Sequence, residues 1–372
     1  NKIFKGGVKM KKFLATALAV ILAASMFTGC GKKKTEEKKP EGTKTEEQTK
    51  LKIGFVSDQG GINDKSFNQL AWEGIGKAEK ELGVEKNNPI ESKQVEQYQP
   101  NLKTMASNSD LTVGAGFMMA EAMTEVAKQM PDKKFAIVDA SIDSPNVLSL
   151  LFKEQEGSFL VGVIAGKMTK TNKVGFIGGV EGPVINRFES GFAAGVMAVN
   201  PEAGKGLMPI DEKTPGKTVK YIDSFDNVGK AKEAAKMLYN DGCDIVFHAA
   251  GGAGNGLFEA AKEMKKYAIG VDADQAQTVP DAKDVILCSM QKKVDVAVYD
   301  AIKNFKDGKF EGGKTMNLGI KEDGVDVAPT INPAVPKEVM DEVAKYKEAI
   351  KTDKFVVPGT RKELVNYKAP QL

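Results

Sequence analysis

The side chains of this sequence that could engage a small molecule collect where strand-like runs give way to polar, glycine-containing loops. The first such place follows the apolar run Leu51–Val56. Asp58 stands just past it, Gly60 and Gly61 permit a turn closed to other residues, and Asn63, Asp64, Ser66, Phe67 and Asn68 come next. Carboxylates and amides there can hydrogen-bond a ligand's polar edge, while the ring of Phe67 offers a flat apolar face. Asn63 and Asp64 carry turn and cap chemistry, and Ser66 is placed to cap a helix starting near Phe67. Asp139 ends the run FAIVD, Phe225 lies just past the strand-like Thr218–Ile222, Asp272 closes GVD, and Lys292 sits in SMQKK. Each has an ordinary alternative: a core phenylalanine, or an Asp that turns the chain after a strand. Lys293 competes with Lys292, and Asp274 reads as a turn residue.

Other chemistries find little support. The run Gly251–Gly256 contains G-x-G but not the G-x-G-x-x-G spacing, and no G-x-x-x-x-G-K-[ST] occurs. A glycine-rich turn bringing backbone near a ligand is the simpler account, and phosphate binding is disfavoured. The single His248 has no nucleophile motif such as G-x-S-x-G beside the chain, so it reads as structural, and a His-rich metal site is impossible. The 3 cysteines are too few for a disulfide framework. Cys243 and Cys288 flank strand-like runs and read as buried thiols, with a bridge between them left open. Net charge is +3 with Lys and Glu interspersed, which argues against a nucleic-acid-binding face. No cofactor is called for.

Elements that would position these residues follow from periodicity. Strands are predicted at Lys52–Ser57, Leu111–Phe117, Lys134–Asp139, Val147–Phe152, Lys173–Ile177, Thr218–Ile222, Asp244–His248, Ala268–Val271 and Val285–Ser289. Helices are predicted at Ser66–Leu82, Ala120–Met130, Gln155–Met168, Val184–Val199, Val228–Asn240, Gly256–Lys266, Val294–Phe305 and Pro336–Thr352, with an extended tail at Phe355–Pro358. Such alternation predicts parallel sheets with helices on both faces, and this many strands divide into two doubly wound lobes. Ligands of open α/β sheets bind outside the carboxyl ends of the strands, where the residues above collect. Phe188 and Phe192, at helical spacing with Ala193 and Val196, read as core. Chain crossings are expected near Lys153 and near Met290. The division is 51–152 in the first lobe, 153–289 in the second, 290–325 returning to the first, and 326–372 in the second.

The amino end reads differently. Lys9–Lys12 is a positive n-region and Phe13–Phe27 an apolar h-region, shorter than the ~20 residues a spanning helix needs. Thr28-Gly29-Cys30 resembles the lipobox of bacterial lipoproteins, with Phe27 where Leu is commoner. Residues 1–30 are therefore expected to be a lipoprotein signal peptide starting at Met10, with Cys30 diacylated. Residues 31–50, without a large apolar side chain, form a charged tether.

Seven blocks point to a family: GFVSDQGGINDKSFNQLAWEG, FAIVDA, VGFIGGVEGPVINRFESGFAAGV, YIDSFDNVGKAKEAA, DIVFHAAGGAGNG, IGVDADQ and SMQKKVDVAVYDAI. In this order, over about Lys52 to Val327, they resemble the basic membrane protein family of purine-nucleoside-binding lipoproteins that serve ABC transporters. The resemblance implies the type I periplasmic-binding-protein fold, two Rossmann-like lobes joined by three crossovers. Phe67 and Phe225 match the positions that sandwich the base. Asp58, Asn68 and Asp139 match those at the base edge, and Asp272, Lys292 and the backbone around Gly251 those at the ribose. The implied function is a non-enzymatic receptor on the extracytoplasmic face of the cell membrane. It would capture adenosine, guanosine or inosine as a monomer and deliver it to a permease and ATPase. A nucleoside-processing enzyme or a nucleoside-sensing surface receptor on the same fold are the alternatives.

Overall fold

The computed structural model describes residues 50–370; Met10, Cys30 and the charged stretch up to residue 49 lie outside the described residues. The chain begins with β1 (Lys52–Ser57), α1 (Phe67–Leu82), β2 (Glu85–Lys86), β3 (Ile90–Glu91), α2 (Tyr98–Ser107), β4 (Leu111–Ala115), α3 (Ala120–Gln129), β5 (Lys134–Val138) and β6 (Val147–Phe152). It crosses at Lys153 into α4 (Glu154–Met168), β7 (Val174–Gly178), α5 (Pro183–Val199), the short α6 (Pro201–Gly204) and β8 (Val219–Tyr221). There follow α7 (Val228–Asn240), β9 (Ile245–Ala249), α8 (Asn255–Met264), β10 (Tyr267–Asp272), α9 (Gln275–Thr278) and β11 (Ile286–Lys292). A second crossing leads through α10 (Val294–Lys306), which packs on α1, to β12 (Thr315–Leu318). A third brings β13 (Val325–Val327), α11 (Lys337–Lys351) and α12 (Arg361–Val365) back.

The strands form two sheets, in the orders β12-β6-β5-β4-β1-β2, with β3 also on β1, and β13-β11-β10-β9-β7-β8. All pairs are parallel except β11 with β13, where Met290 faces Val327. Parallel strands are covered on both faces by helices, and β9 (IVFHA) is accordingly buried at every position. This is the two-lobed α/β architecture expected from the alternation of elements, and it sets the carboxyl ends of β1, β4 and β5 opposite those of β9, β10 and β11.

Some local expectations change. Strand β11 continues to Lys292 within the second sheet, so the second crossing follows Lys292 and not Met290. Helix α2 had no predicted counterpart; its Pro100 stands in the first turn, where a missing N–H is tolerated. β2 and β3 are two-residue edges, and β12 and β13 are half-exposed edge strands without an apolar run. Phe355–Pro358, expected as a tail beyond the last predicted helix, lies in neither helix nor strand. The chain there leads into α12, which Thr360 and Glu363 open with reciprocal capping bonds. Cys243 and Cys288 are both buried free thiols, so no bridge joins them.

Candidate functional site

Between the lobes lies a cavity whose lining mixes acids, an amide and aromatic rings. Asp58, Phe67, Asn68, Asp139, Phe225, Gly251, Asp272 and Lys292 all line it, so the eight residues singled out in the sequence meet in one place. Asp64, Phe117, Ile185 and Phe188 line it too. Phe188, expected in the core, instead contributes to this wall; its neighbour Phe192 is core as expected.

The first wall grows out of the β1–α1 loop. Asp64, not Ser66, caps α1: its Oδ1 accepts from the backbone N–H of Ser66 (2.9 Å) and Gln69 (3.1 Å), and its Oδ2 from that of Asn68 (2.9 Å). Ser66, whose side chain makes no cap bond, is thereby released to donate across the cleft to Asp272 Oδ2 at 2.6 Å. Gln275 Nε2 and Thr278 Oγ1 donate to the Lys65 carbonyl, each at 3.2 Å, adding to the bonds between the lobes. Asn68 is nearly fully buried and gives its amide hydrogens to Asp58 Oδ1 (2.7 Å) and Asp64 Oδ2 (3.1 Å).

Both lobes contribute aromatic residues to the lining. Phe225 lies against Gly179, where a β-carbon would come within 2.3 Å of its ring, and meets Phe117 from the other lobe edge-on with centroids 6.2 Å apart. The Gly251–Gly254 turn is tied to it by Ala253 N–H donating to the Phe225 carbonyl at 2.9 Å. Gly251 adopts a φ of 52°, a conformation that suits glycine and presents backbone to the cavity. Phe67 faces the ammonium of Lys292, 5.1 Å from its centroid.

The acids are held at some conformational expense. Asp139 and Asp272 occupy corresponding strand ends in the two lobes, and both have positive φ, 71° and 62°. Left-handed backbone at a non-glycine residue is tolerated when the surroundings over-determine it, commonly at functional positions. Lys292 Nζ lies 2.7 Å from both oxygens of Asp139 and 2.9 Å from Glu154 Oε1, with Phe67, Phe152 and Phe188 around it. Glu154 in turn receives Arg187 Nε. Asp272 and Lys292, both expected at the ribose, are not bonded to each other: the acids in contact with Lys292 are Asp139 and Glu154, while Asp272 holds Ser66. Lys293 points away to Asp323 (2.6 Å), and Asp274 accepts from Thr330.

Burial sets the protonation. Removal from water pushes Asp58 up to about 6, though Asn68 and Gly60 bond its charged form. It pushes Asp272 up to about 7 against the pull of Lys292 and Ser66, and raises Asp139 despite Lys292. Glu154 goes the other way: burial opposes its charge, but Lys292 and Arg187 together outweigh that and keep it ionised. His248 is fully buried, its ring nitrogen Nε2 3.0 Å from Gln275 Oε1, and burial pulls it down to about 4, so it is a neutral structural residue. Among the described residues no group of three His, Cys, Asp or Glu side chains is arranged to hold a metal ion.

Sequence reasoning had no signal for Phe117, Glu154 or Arg187, which reach the site only through packing. It had a partial one for Asp64, whose cap chemistry the structure bears out, and for Ser66, read as a cap but bonded instead to Asp272.

Similar structures share this fold. A solute-binding protein of an ABC transporter system from Aeropyrum pernix K1 superposes with a TM-score of 0.73 at 27% identity, over 85% of this chain and 96% of that one. A second, from Conexibacter woesei, gives 0.63 at 25% identity over 83% and 99%. Two doubly wound lobes, three crossings and a shared cavity define a solute-binding protein of the type I periplasmic-binding class. The family model described as ABC transporter substrate-binding protein PnrA-like matches residues 50–361, well past Val327 where the recognisable blocks end. The chain belongs to that family. Its relatives include the "CD4+ T-cell-stimulating antigen" of Listeria monocytogenes, 41% identical over 94% of this chain and 99% of the relative. The "ABC transporter nucleoside-binding protein BmpA" of Lactococcus lactis is 36% identical over 94% and 100%. Basic membrane protein A of Borreliella burgdorferi is 34% identical over 83% and 88%.

Proposed function

We propose that this chain captures purine nucleosides between its lobes, without catalysis, and hands them to an ABC permease. The observation that carries the reading is one cavity combining Phe67 and Phe225 with Asp58, Asp139, Asp272 and Lys292. A base stacked between aromatic faces gains about 0.5–1.5 kcal/mol beyond burial for each good pair. Ribose hydroxyls can donate to Asp272 and accept from Lys292, with Asp58, Asn68 and Asp139 left to the base edge. With four aspartates and one lysine among the described lining residues, a phosphate would meet like charge in a dry site, so nucleosides suit it and nucleotides do not. Bonds such as Ser66 to Asp272 join the lobes, which fits capture by closure. Cys30, outside the described residues, would carry the lipid that keeps the receptor at the extracytoplasmic face of the membrane.

The test is calorimetric titration and thermal shift with adenosine, guanosine, inosine, GMP, ribose and galactose. Nucleosides should bind and stabilise, since a ligand of the native state at 100 Kd adds about 2.7 kcal/mol. Binding of sugars without nucleosides would reject the reading and spare the fold. Free hypoxanthine released from inosine would replace the carrier with an enzyme. Mass analysis of the mature amino terminus, with Cys30→Ala as control, tests the anchor.

A further inference from the structure

Lys292 is the one cation among the described residues that line the cavity. It closes β11 just before the second crossing, and Glu154 opens α4 just after the first, so contact between them links two of the three crossings. Lys292 Nζ donates to Asp139 Oδ2 at 2.7 Å. It also stands 2.9 Å from Glu154 Oε1, an ion-pair contact not aligned as a hydrogen bond. Glu154 is fully buried, and its other carboxylate oxygen receives Arg187 Nε. Against the burial that opposes its charge, Lys292 and Arg187 hold Glu154 ionised. Its place in the first turn of α4, at the positive end of the helix dipole, adds to that. Two cations and two carboxylates thus share one cluster, and their formal charges cancel. Of the four, Glu154 and Arg187 are not among the residues lining the cavity.

We infer that Glu154 sets the ligand charge this receptor accepts: by neutralising Lys292 from outside the cavity, it reserves the site for uncharged ligands and excludes nucleoside phosphates. This rests on the nucleoside reading above and names the residue that enforces it. Glu154 acts through Lys292 and is a positioning residue, not a ligand contact. An anion touching Lys292 at about 3 Å would come within about 6 Å of Glu154 Oε1. At an effective dielectric of about 20, repulsion between unit charges at that range is worth roughly 100-fold in affinity. A hydroxyl accepts from the same ammonium and meets no such repulsion.

The experiment compares Glu154→Gln with Arg187→Met in the full chain, because the two remove opposite charges from one cluster. Thermal shift is read with inorganic phosphate, and calorimetric titration with guanosine and its 2′-, 3′- and 5′-monophosphates. Glu154→Gln should gain a phosphate-dependent rise in Tm that the parent lacks, and adding Lys292→Met should abolish it. For at least one isomer, the ratio of monophosphate Kd to guanosine Kd should fall by about tenfold or more, and measurable binding where the parent has none counts as that gain. Arg187→Met should show neither change, whereas a general loosening of the cluster would alter both variants alike. No phosphate shift and an unchanged ratio for all three isomers in Glu154→Gln, or equal gains in Arg187→Met, overturns the role of Glu154 and leaves the nucleoside reading intact. Failure of guanosine, inosine and adenosine to bind the parent overturns that reading, while the phosphate arm still decides on Glu154. Where Glu154→Gln fails to fold, the double variant Glu154→Gln with Arg187→Met, which strands neither of these two charges, takes its place. Its ratio should still fall, by about fivefold since the more distant Arg187 charge is lost as well, and a ratio that holds overturns the inference.

Discussion

Lys292 is the residue whose removal tests the electrostatics of the site most directly. It is 1% exposed, and its ammonium touches Asp139 and Glu154 and lies over the rings of Phe67, Phe152 and Phe188. Lys292→Met keeps the stem's bulk and apolar packing, so the loss reports charge more than cavity. Glu154 retains Arg187; Asp139 has no second cation in contact and stays buried. Breaking a buried ion pair by removing one partner costs about 3–5 kcal/mol. A second route bounds the same quantity. Asp139 can discharge by taking up a proton, which from its ordinary value of 3.8 costs at most about 4 kcal/mol at pH 7, at about 1.36 kcal/mol per pH unit. For the roughly 320 described residues, unfolding entropy near 2.1 cal/mol/K per residue gives about 0.7 kcal/mol/K, so Tm of the unliganded protein should fall by about 4–7 °C at pH 7.

The pH dependence follows from the sign of the shift. In the variant the folded-state pKa of Asp139 lies above its unfolded value, so the folded state takes the proton more readily. The variant's deficit is then small below about pH 4 and grows as pH rises toward the folded pKa. At pH 5 the bound shrinks to about 1.6 kcal/mol, or roughly 2 °C. Calorimetric scans of both proteins at pH 5, 6, 7 and 8 measure the gap. A deficit under 1 °C at pH 8, or one that does not change with pH, would refute a buried, charge-compensating lysine.

Three further outcomes are expected. Asp272, pushed to about 7 by burial, makes the unliganded protein lose stability as pH climbs from about 4 to 7; Asp272→Asn should flatten that decline in urea midpoints at pH 5, 6 and 7, and an unaltered slope would place its origin elsewhere. Phe225→Ala should weaken nucleoside binding by about 5- to 150-fold, the worth of one base–aromatic stack at about 1–3 kcal/mol, and unchanged calorimetric affinity would rule out stacking on this ring. Arg361 is buried, bidentate on Glu189 with both bonds at 2.8 Å, and also donates to Glu181 at 2.6 Å; Arg361→Met should lower Tm by about 4–7 °C through the stranded Glu189, and a melting point within 1 °C of the parent would count against it.

The chain's alternation of apolar runs with amphipathic stretches determined the fold class and nearly all long elements. Parallel strands covered on both faces need continuous apolar sequence, and each helix needs one apolar stripe, so both patterns are written locally. The same holds for the ends of β1, β5 and β10, whose Asp58, Asp139 and Asp272 stand at sites where such sheets present side chains to a cleft. Edge strands β12 and β13 escaped because a half-exposed edge carries no such pattern, and α2 because Pro100 reads as a breaker unless the first turn is known. Tertiary structure alone decided the partnerships. Ser66 and Asp64 are two residues apart and equally able to cap α1; which one does so depends on Asp272 arriving from the other lobe to take the Ser66 hydroxyl. Lys292 could have faced Asp272, yet Glu154 and Arg187, brought in by α4 and α5, hold it toward Asp139. Local sequence can say which atoms are polar, but the choice among partners is made by the distances that two packed lobes impose.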